Sequence, residues 1–322
     1  MITRKIDKNN ENQRIDKYLK KLLVKAPSSL IYKMLRKKDV KVNGVRVKEN
    51  YMLSLGDEVS LFLYEDKFKE YTSPITIYDL PIQFDVIYED EHILIVNKPA
   101  GLLVHSDINE DMNTLANQVL TYLSQKGEYD PEKNLDFTPG PVHRLDRNTS
   151  GMVIFGKDMR ALQDLNEMMK KRHCIEKSYL TIVKGYMEDA DLIGYVKKNE
   201  EEGKMYLVSK NTPDALMMHT IVKSLDARKD YSLVEVSLVT GRTHQIRVHL
   251  SATGHPVMGD AKYGDFEWNK EIKKRFKLNH QFLHAYQLTF VKPIGSLKYL
   301  EGKTLICHLP SSLKKIKQSL FD

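Results

Sequence analysis

The sequence predicts an α+β protein of two domains, residues 1–75 and residues 76–322. Three observations lead there. The 322 residues exceed what one small core usually organises. Two short amphipathic helical patterns run into a hairpin pattern before residue 65, whereas strand patterns dominate from residue 84 onward. Between them, Tyr71-Thr72-Ser73-Pro74 through Pro81 carries two prolines and no period, which marks a linker with the boundary near residue 75.

In the first domain, Ile15, Tyr18, Leu19 and Leu22 repeat at helical spacing. Pro27 is expected to interrupt that helix, and Ser28 or Ser29 to cap a second. The second helix buries Leu30, Ile31, Met34 and Leu35 and turns Lys33, Arg36, Lys37 and Lys38 elsewhere. In Val40-Lys41-Val42-Asn43-Gly44-Val45-Arg46-Val47, valines alternate with basic residues about Asn-Gly, the dipeptide suited to a type I′ turn. Lys41 and Arg46 then share a face. Gly56-Asp57-Glu58 turns the chain into the apolar run Val59 to Leu63.

Charge follows this division. Residues 1–70 hold 17 Lys+Arg against 10 Asp+Glu, and the remainder holds 33 of each, so the whole net charge of +7 lies in the first fifth. A basic patch on a folded module points to a polyanion. Composition excludes other classes. No apolar run approaches the ~20 residues of a membrane span. Met1-Ile2-Thr3-Arg4-Lys5 lacks the apolar stretch of a signal peptide. Cys174 and Cys307 are far apart and the eleven His are scattered, so neither a disulfide framework nor a metal site is expected, and the cytoplasm is the default compartment.

The second domain opens with two strands, Asp85 to Tyr88 and Ile93 to Val96, about Glu89-Asp90-Glu91. Asn97-Lys98-Pro99-Ala100-Gly101 breaks the second and leads to Leu102-Leu103-Val104-His105; His105 receives no chemical role. The run Pro141-Val142-His143-Arg144-Leu145-Asp146-Arg147-Asn148-Thr149-Ser150-Gly151 is the most informative in the chain. It places one carboxylate between two arginines in a turn that precedes the strand Met152 to Phe155. Opposite charge at close range favours the anion, which serves as nucleophile or base. Asp158 opens a helix carrying Leu162, Leu165, Met168 and Met169, which are core. Lys177 to Val183 is a strand, and Tyr179 alone reads as packing. Residues 187–215 read as a polar, acidic surface hairpin or excursion. The strand Tyr231 to Thr240 runs into Gly241-Arg242-Thr243-His244-Gln245-Ile246-Arg247-Val248-His249-Leu250, a helix ending at Gly254. His244, Arg247 and Val248 share one helical face, from which an arginine could hold Asp146 in one orientation. His244, His249 and His255 have no ligand spacing and are expected to hold loops.

The strings His143-Arg144-Leu145-Asp146-Arg147-Asn148-Thr149-Ser150-Gly151, Asn97-Lys98-Pro99-Ala100-Gly101 and Gly241-Arg242-Thr243-His244-Gln245-Ile246-Arg247 occur in the order found in the RluA-type pseudouridine synthases, which this chain resembles. Gly254-His255-Pro256-Val257-Met258-Gly259-Asp260, Lys262-Tyr263-Gly264 and Leu283-His284-Ala285 continue the pattern. Residues 12–65 resemble the S4 RNA-binding domain. The resemblance implies a catalytic domain built on a mixed, mainly antiparallel sheet flanked by helices. It implies that Asp146 is the catalyst, paired by Arg247, with Tyr179 stacking on the target base and Arg144 entering the place that base vacates. No cofactor or metal is implied. Lys33, Arg36, Lys37, Lys38 and Lys41 are the expected phosphate contacts, which position RNA without reading its sequence. The S4 prefix resembles members acting on 23S large-subunit ribosomal RNA, and Ser29-Leu30-Ile31-Tyr32-Lys33-Met34-Leu35-Arg36 leans towards the member that modifies several scattered sites. Transfer RNA is the alternative substrate, and a non-catalytic ribosome-assembly factor the alternative class. A monomer is expected.

Overall fold

The computed structural model describes residues 1–72, 75–106, 112–199 and 201–322. Ser73 and Pro74 of the linker, and Glu200 of the acidic segment, lie outside the described residues.

The N-terminal unit consists of β1 (Ile2–Lys5), α1 (Ile15–Leu22), α2 (Ser28–Lys37), β2 (Val40–Val42), β3 (Val45–Arg46), β4 (Glu58–Leu61) and α3 (Glu65–Tyr71). Its sheet has the order β1-β4-β2-β3. Ile15, Tyr18, Leu19 and Leu22 of α1 meet Ile31, Met34 and Leu35 of α2 in one core under this sheet. The hairpin forms as its sequence demands: Asn43 and Gly44 both take positive φ (50° and 78°), and Lys41 stands opposite Arg46. Two expectations fail at the helix ends. Helix α1 stops at Leu22, short of Pro27. Pro27 itself is the N-cap of α2, with no side-chain cap from Ser28 or Ser29. A proline suits a helix start because the first amides have no partner within the helix to lose.

The second unit is an 11-stranded sheet. Its elements are β5 (Asp85–Glu89), β6 (Ile93–Lys98), α4 (Leu115–Gln125), β7 (Gly140–Pro141), β8 (Ser150–Gly156), α5 (Met159–Lys171), β9 (Ile175–Lys184), β10 (Ala190–Asn199), β11 (Lys204–Leu207), β12 (Leu216–Ala227), β13 (Tyr231–Leu238), α6 (Gln245–Ala252), α7 (Phe266–Phe276), β14 (Leu283–Phe290), β15 (Thr304–Ile306) and α8 (Ser311–Phe321). The main order is β11-β10-β12-β13-β9-β14-β8-β6-β5. Among the described strands β14 and β8 pair parallel and the other strand pairs are antiparallel. The sheet is therefore mixed and mainly antiparallel.

Alternation along the strands feeds cores on both faces. Leu94, Val96, Val153 and Phe155 join Leu115, Val119 and Leu123 of α4 and Ile246 and Leu250 of α6. Ile93, Ile95, Met152 and Ile154 join Ala161, Leu165 and Met168 of α5. Asp158 caps α5 as its sequence suggests, accepting from Ala161 N at 2.8 Å. Residues 187–215 are more than a surface excursion. β10 pairs along seven residues with β12, and Val196 and Met205 join a small core with Val248 and Met218. The acidic residues face outward and hid that inner stripe from a composition-based reading. The N-terminal unit packs against the second through Leu135 and through Asn9, whose Oδ1 accepts from Met159 N at 3.0 Å.

One register row crosses four strands and explains a glycine. Tyr179 of β9 pairs with Ala285 of β14, Ala285 with Gly151 of β8, and Gly151 with Lys98 of β6. Gly151 takes φ of 112°, and a Cβ there would collide with the Ala285 carbonyl oxygen. Only glycine lets β14 close against the end of the Asp146 loop.

His284, fully buried on β14, fixes this junction. Its Nε2 donates to the Cys307 carbonyl (2.9 Å), so its Nδ1 accepts from the Ser150 hydroxyl (2.8 Å). Burial pushes its pKa down to about 4. Because the unfolded chain binds this proton near pH 6.5 and the folded one does not, stability falls as pH drops from about 6.5 to about 4, by roughly 3 kcal/mol. Urea unfolding across that window is expected to show the loss. The His284→Gln variant, less stable throughout, will show a smaller pH slope; an unchanged slope would remove His284 from the account.

Candidate active site

Asp146 lies in the loop before β8, and Arg247 one turn into α6, 101 positions away in sequence. The fold brings them together: Arg247 Nη1 donates to Asp146 Oδ2 at 2.8 Å. The guanidinium does not stop there. Its Nε donates to Asp260 Oδ2 at 2.7 Å and its Nη2 to Asp260 Oδ1 at 2.8 Å, a two-pronged grip of the kind that fixes the plane of an arginine. The Asp260 side chain is 0% exposed and that of Arg247 8%, against 26% for Asp146. One partner is a buried anchor, and the other faces the solvent opening.

The charges fit this order. Burial alone would lower the Arg247 pKa, but Asp260 and then Asp146 raise it, so the guanidinium stays charged. Burial opposes the Asp260 anion as well; the Arg247 grip outweighs it and holds the carboxyl below its usual range, aided by the Lys262 and Tyr263 amides. Those amides donate to Asp260 Oδ1 at 2.8 and 3.1 Å. Asp260 thus has its lone pairs filled and cannot turn away. Arg247 Nη1 occupies Oδ2 of Asp146, and among the described residues no hydrogen bond reaches Oδ1.

Lys98 supports the loop from below. Its ammonium is buried and donates to the carbonyls of Pro99 (2.8 Å), Leu102 (2.8 Å) and Arg147 (2.9 Å). One cation therefore ties the Asn97–Gly101 turn to the residue following Asp146. Burial pulls the Lys98 pKa down to about 7, with Asp146 opposing. The Gly101 amide adds a second tie, donating to the Arg147 carbonyl at 2.9 Å.

Helix α6 begins at a shaped turn. Gln245 Oε1 accepts from Thr240 Oγ1 (2.7 Å) and Arg242 N (3.0 Å), while its Nε2 donates to the His219 carbonyl and Thr220 Oγ1 (both 3.0 Å). His244 is the N-cap, not a helical residue, with φ of 56°. The expected shared face of His244, Arg247 and Val248 is therefore revised. His244 and Arg247 still converge on Asp146, with His244 Nε2 at 4.0 Å from Asp146 Oδ2, but Val248 packs into the β10–β11 core. The three histidines hold separate partners: His244 Nδ1 the Tyr263 hydroxyl (2.8 Å), His249 Nδ1 Thr220 Oγ1 (3.0 Å), and His255 Nδ1 the Lys184 carbonyl (3.0 Å).

The other site residues named from the sequence are placed as follows. Tyr179 is 6% exposed in the main core, within electrostatic reach of Asp146; burial and then Asp146 push its pKa upward. Arg144 is exposed and makes no ion pair among the described residues. Lys33, Arg36, Lys37 and Lys38 are exposed on α2 and its end, and Lys41 is half-buried with its ammonium over the Phe62 ring. These five lie on the N-terminal unit. Sequence reasoning passed over Lys98, Asp260 and Tyr263 as site residues, although each sat inside a quoted motif.

This architecture can be set beside known proteins. Residues 92–252 match the family model described as RNA pseudouridylate synthase, and residues 13–59 match the S4 domain. The chain belongs to the RNA pseudouridylate synthase family. It is similar to "Ribosomal large subunit pseudouridine synthase C" of Vibrio cholerae, 32% identical over 98% of this chain and 96% of that one. The protein of the same name from Escherichia coli K12 is 33% identical over 98% of this chain and 95% of its own. Among solved structures, human RNA pseudouridylate synthase domain containing 4 shares the fold, with a TM-score of 0.56 at 24% identity, over 73% of this chain and 92% of that one. The protein is accordingly a pseudouridine synthase, an isomerase acting on RNA.

Removing the buried anchor tests the geometry. Asp260→Ala takes away the buried partner of two guanidinium nitrogens and leaves Arg247 with the partly exposed Asp146 alone, and the loss of unfolding free energy should be about 3–5 kcal/mol. Denaturant titration measures it; a loss under about 1 kcal/mol, the scale of a surface pair, would mean that Arg247 is held by something else.

Proposed function

We propose that this enzyme converts uridines of 23S large-subunit ribosomal RNA to pseudouridine, with Asp146 as its essential catalyst. The carrying observation is the Asp146 carboxylate with one oxygen held by Arg247 at 2.8 Å and the other left to react. The ribosomal target is supported by the names of the relatives quoted above, which match along nearly their whole length. Those names favour ribosomal over transfer RNA, and the assembled Asp146–Arg247–Asp260 set favours turnover over a scaffold role.

The reaction breaks the bond from C1′ to N1, turns the freed uracil, joins C5 to C1′, and in net moves the C5 proton to N1. Asp146 Oδ1 meets the ribose, either attacking C1′ or removing a sugar proton; both routes need the same oriented anion. Arg247 keeps that orientation. In this reading Tyr179 supports the uracil, contributing stacking on the order of 1–3 kcal/mol. Extruding the base costs a few kcal/mol, which Arg144, exposed beside the loop, offsets by filling the vacated place. In this reading residues 1–75 dock the RNA through Lys33, Arg36, Lys37, Lys38 and Lys41, and residues 76–322 perform the chemistry. In this reading the enzyme acts as a monomer in the cytoplasm.

The test is pseudouridine mapping by carbodiimide modification and reverse transcription on unmodified 23S RNA. Wild type is expected to form product and Asp146→Asn none, at RNA affinity within about threefold. Equal product from both would remove Asp146 as the catalyst. Product on transfer RNA alone would overturn the ribosomal assignment.

A further inference from the structure

Beside Asp146 stands one polar side chain that the reaction above leaves unused. His244 Nε2 lies 4.0 Å from Asp146 Oδ2, while its Nδ1 sits 2.8 Å from the Tyr263 hydroxyl. The ring is clamped. Tyr263 packs edge-on against it at 5.5 Å between centroids, and the Arg247 guanidinium lies over the Tyr263 ring at 5.1 Å. The backbone of His244 is in the left-handed region, which a side-chain-bearing residue adopts at some cost. The Gln245 bonds to Thr240, Arg242, His219 and Thr220 hold that turn in place. So strained backbone, ring packing and a hydroxyl anchor all aim one imidazole edge at the side of Asp146.

The proton on that ring can be located. Tyr263 oxygen already accepts from Met205 N at 2.9 Å, which leaves its own O–H free to donate to His244 Nδ1. That arrangement gives the Tyr263 hydroxyl hydrogen its acceptor among the described residues and puts the ring proton on Nε2, the nitrogen nearest the Asp146 anion, whose charge favours the same tautomer.

We propose that His244 is a catalytic residue whose Nε2–H donates a hydrogen bond to a carbonyl oxygen of the uracil anion during its detachment. The inference rests on the assignment of Asp146 as catalyst, but not on which route Asp146 follows. Attack at C1′ and removal of a sugar proton both expel the base with the electron pair of the C1′–N1 bond, as the same anion. A donor positioned where that charge develops lowers the barrier to bond cleavage. His244 transfers no proton. A neutral donor is the useful one here, because protonating the base would quench the electron-rich C5 that must next bond to C1′. The surroundings keep it neutral: burial lowers its pKa, Arg247 and Lys262 lower it further, and Asp146 and Asp260 only partly oppose them. Tyr263 is the remaining titratable group against the ring.

Glutamine and asparagine separate this role from a purely structural one. Gln places an amide N–H near the position of Nε2, whereas Asn tolerates the left-handed backbone but ends short of it. In single turnover on 23S RNA with full-length protein, His244→Asn should slow product formation about 30- to 100-fold, with RNA affinity unchanged within about twofold. His244→Gln should recover the rate to within about fivefold of wild type. An Asn variant within about threefold of wild type overturns the proposal, as does a rate loss matched by an equal loss of affinity. Nitrogen NMR on histidine-labelled wild type, assigned by difference with His244→Asn, reads the tautomer without relying on a variant's activity. A neutral ring protonated at Nε2 at pH 7 is expected; an imidazolium or an Nδ1–H ring overturns it. Asp146→Asn runs alongside: product retained by that variant overturns the reading of Asp146 and this proposal with it, whereas no product from it together with a His244→Asn rate near wild type overturns this proposal alone.

Discussion

A guanidinium removed from water takes its position from the anions that surround it, and Arg247 has two of them on different terms. Asp260 is fully buried, grips two nitrogens and is itself held by two backbone amides. Asp146 takes the one nitrogen that remains and stays partly exposed. The asymmetry turns an ion pair into a positioning device, in which rigidity passes from Asp260 through Arg247 to a single oxygen of Asp146. Pairs of this kind contribute little net stability compared with apolar residues of the same size. Their value lies in orientation: the pair holds one carboxylate oxygen of Asp146 in a fixed direction.

The sheet makes the device possible. Asp146 precedes β8 and Arg247 follows β13, and two strands, β14 and β9, lie between these in the sheet. Gly151 permits the close parallel approach of β14 to β8, while His284 pins Ser150 to the Cys307 carbonyl. On the other flank, Lys98 gathers three carbonyls from the turns that border the catalytic loop. A displacement at any of these points would reach Asp146 through backbone alone. The β10–β11 hairpin extends the support on the far side, where Met205 N donates to Tyr263 and the Lys262 ammonium to the Gly203 carbonyl. The site is thus braced from four separated stretches of chain.

Much of this was legible in the sequence, for definite reasons. The Asn-Gly hairpin, the Asp158 cap and the alternating strands are local, so near neighbours encode them. The pairing of Asp146 with Arg247 came from motif resemblance, because nothing local links residues 101 apart. What stayed hidden depended on tertiary contact. Asp260 looked like part of a turn until its carboxylate was seen against Arg247. Lys98 looked like a loop lysine, yet three carbonyls surround it. The inner stripe of β10, where Val196 is followed by Lys197 and Lys198, was masked by polar neighbours on the outer face. The left-handed turn at His244 contradicted a helical reading because the Gln245 side chain, not the helix, sets where the turn closes.

The central claim is that the Asp260–Arg247 pair serves orientation and not folding. The most direct measurement is the single-turnover rate of Arg247→Met combined with Asp260→Asn, taken with its unfolding free energy. Removing both charges while keeping an acceptor for the Lys262 and Tyr263 amides should keep stability within about 2 kcal/mol of wild type. The same double variant should lose product formation by about 100-fold or more while still binding RNA. A folded double variant that turns over within about threefold of wild type would contradict the account.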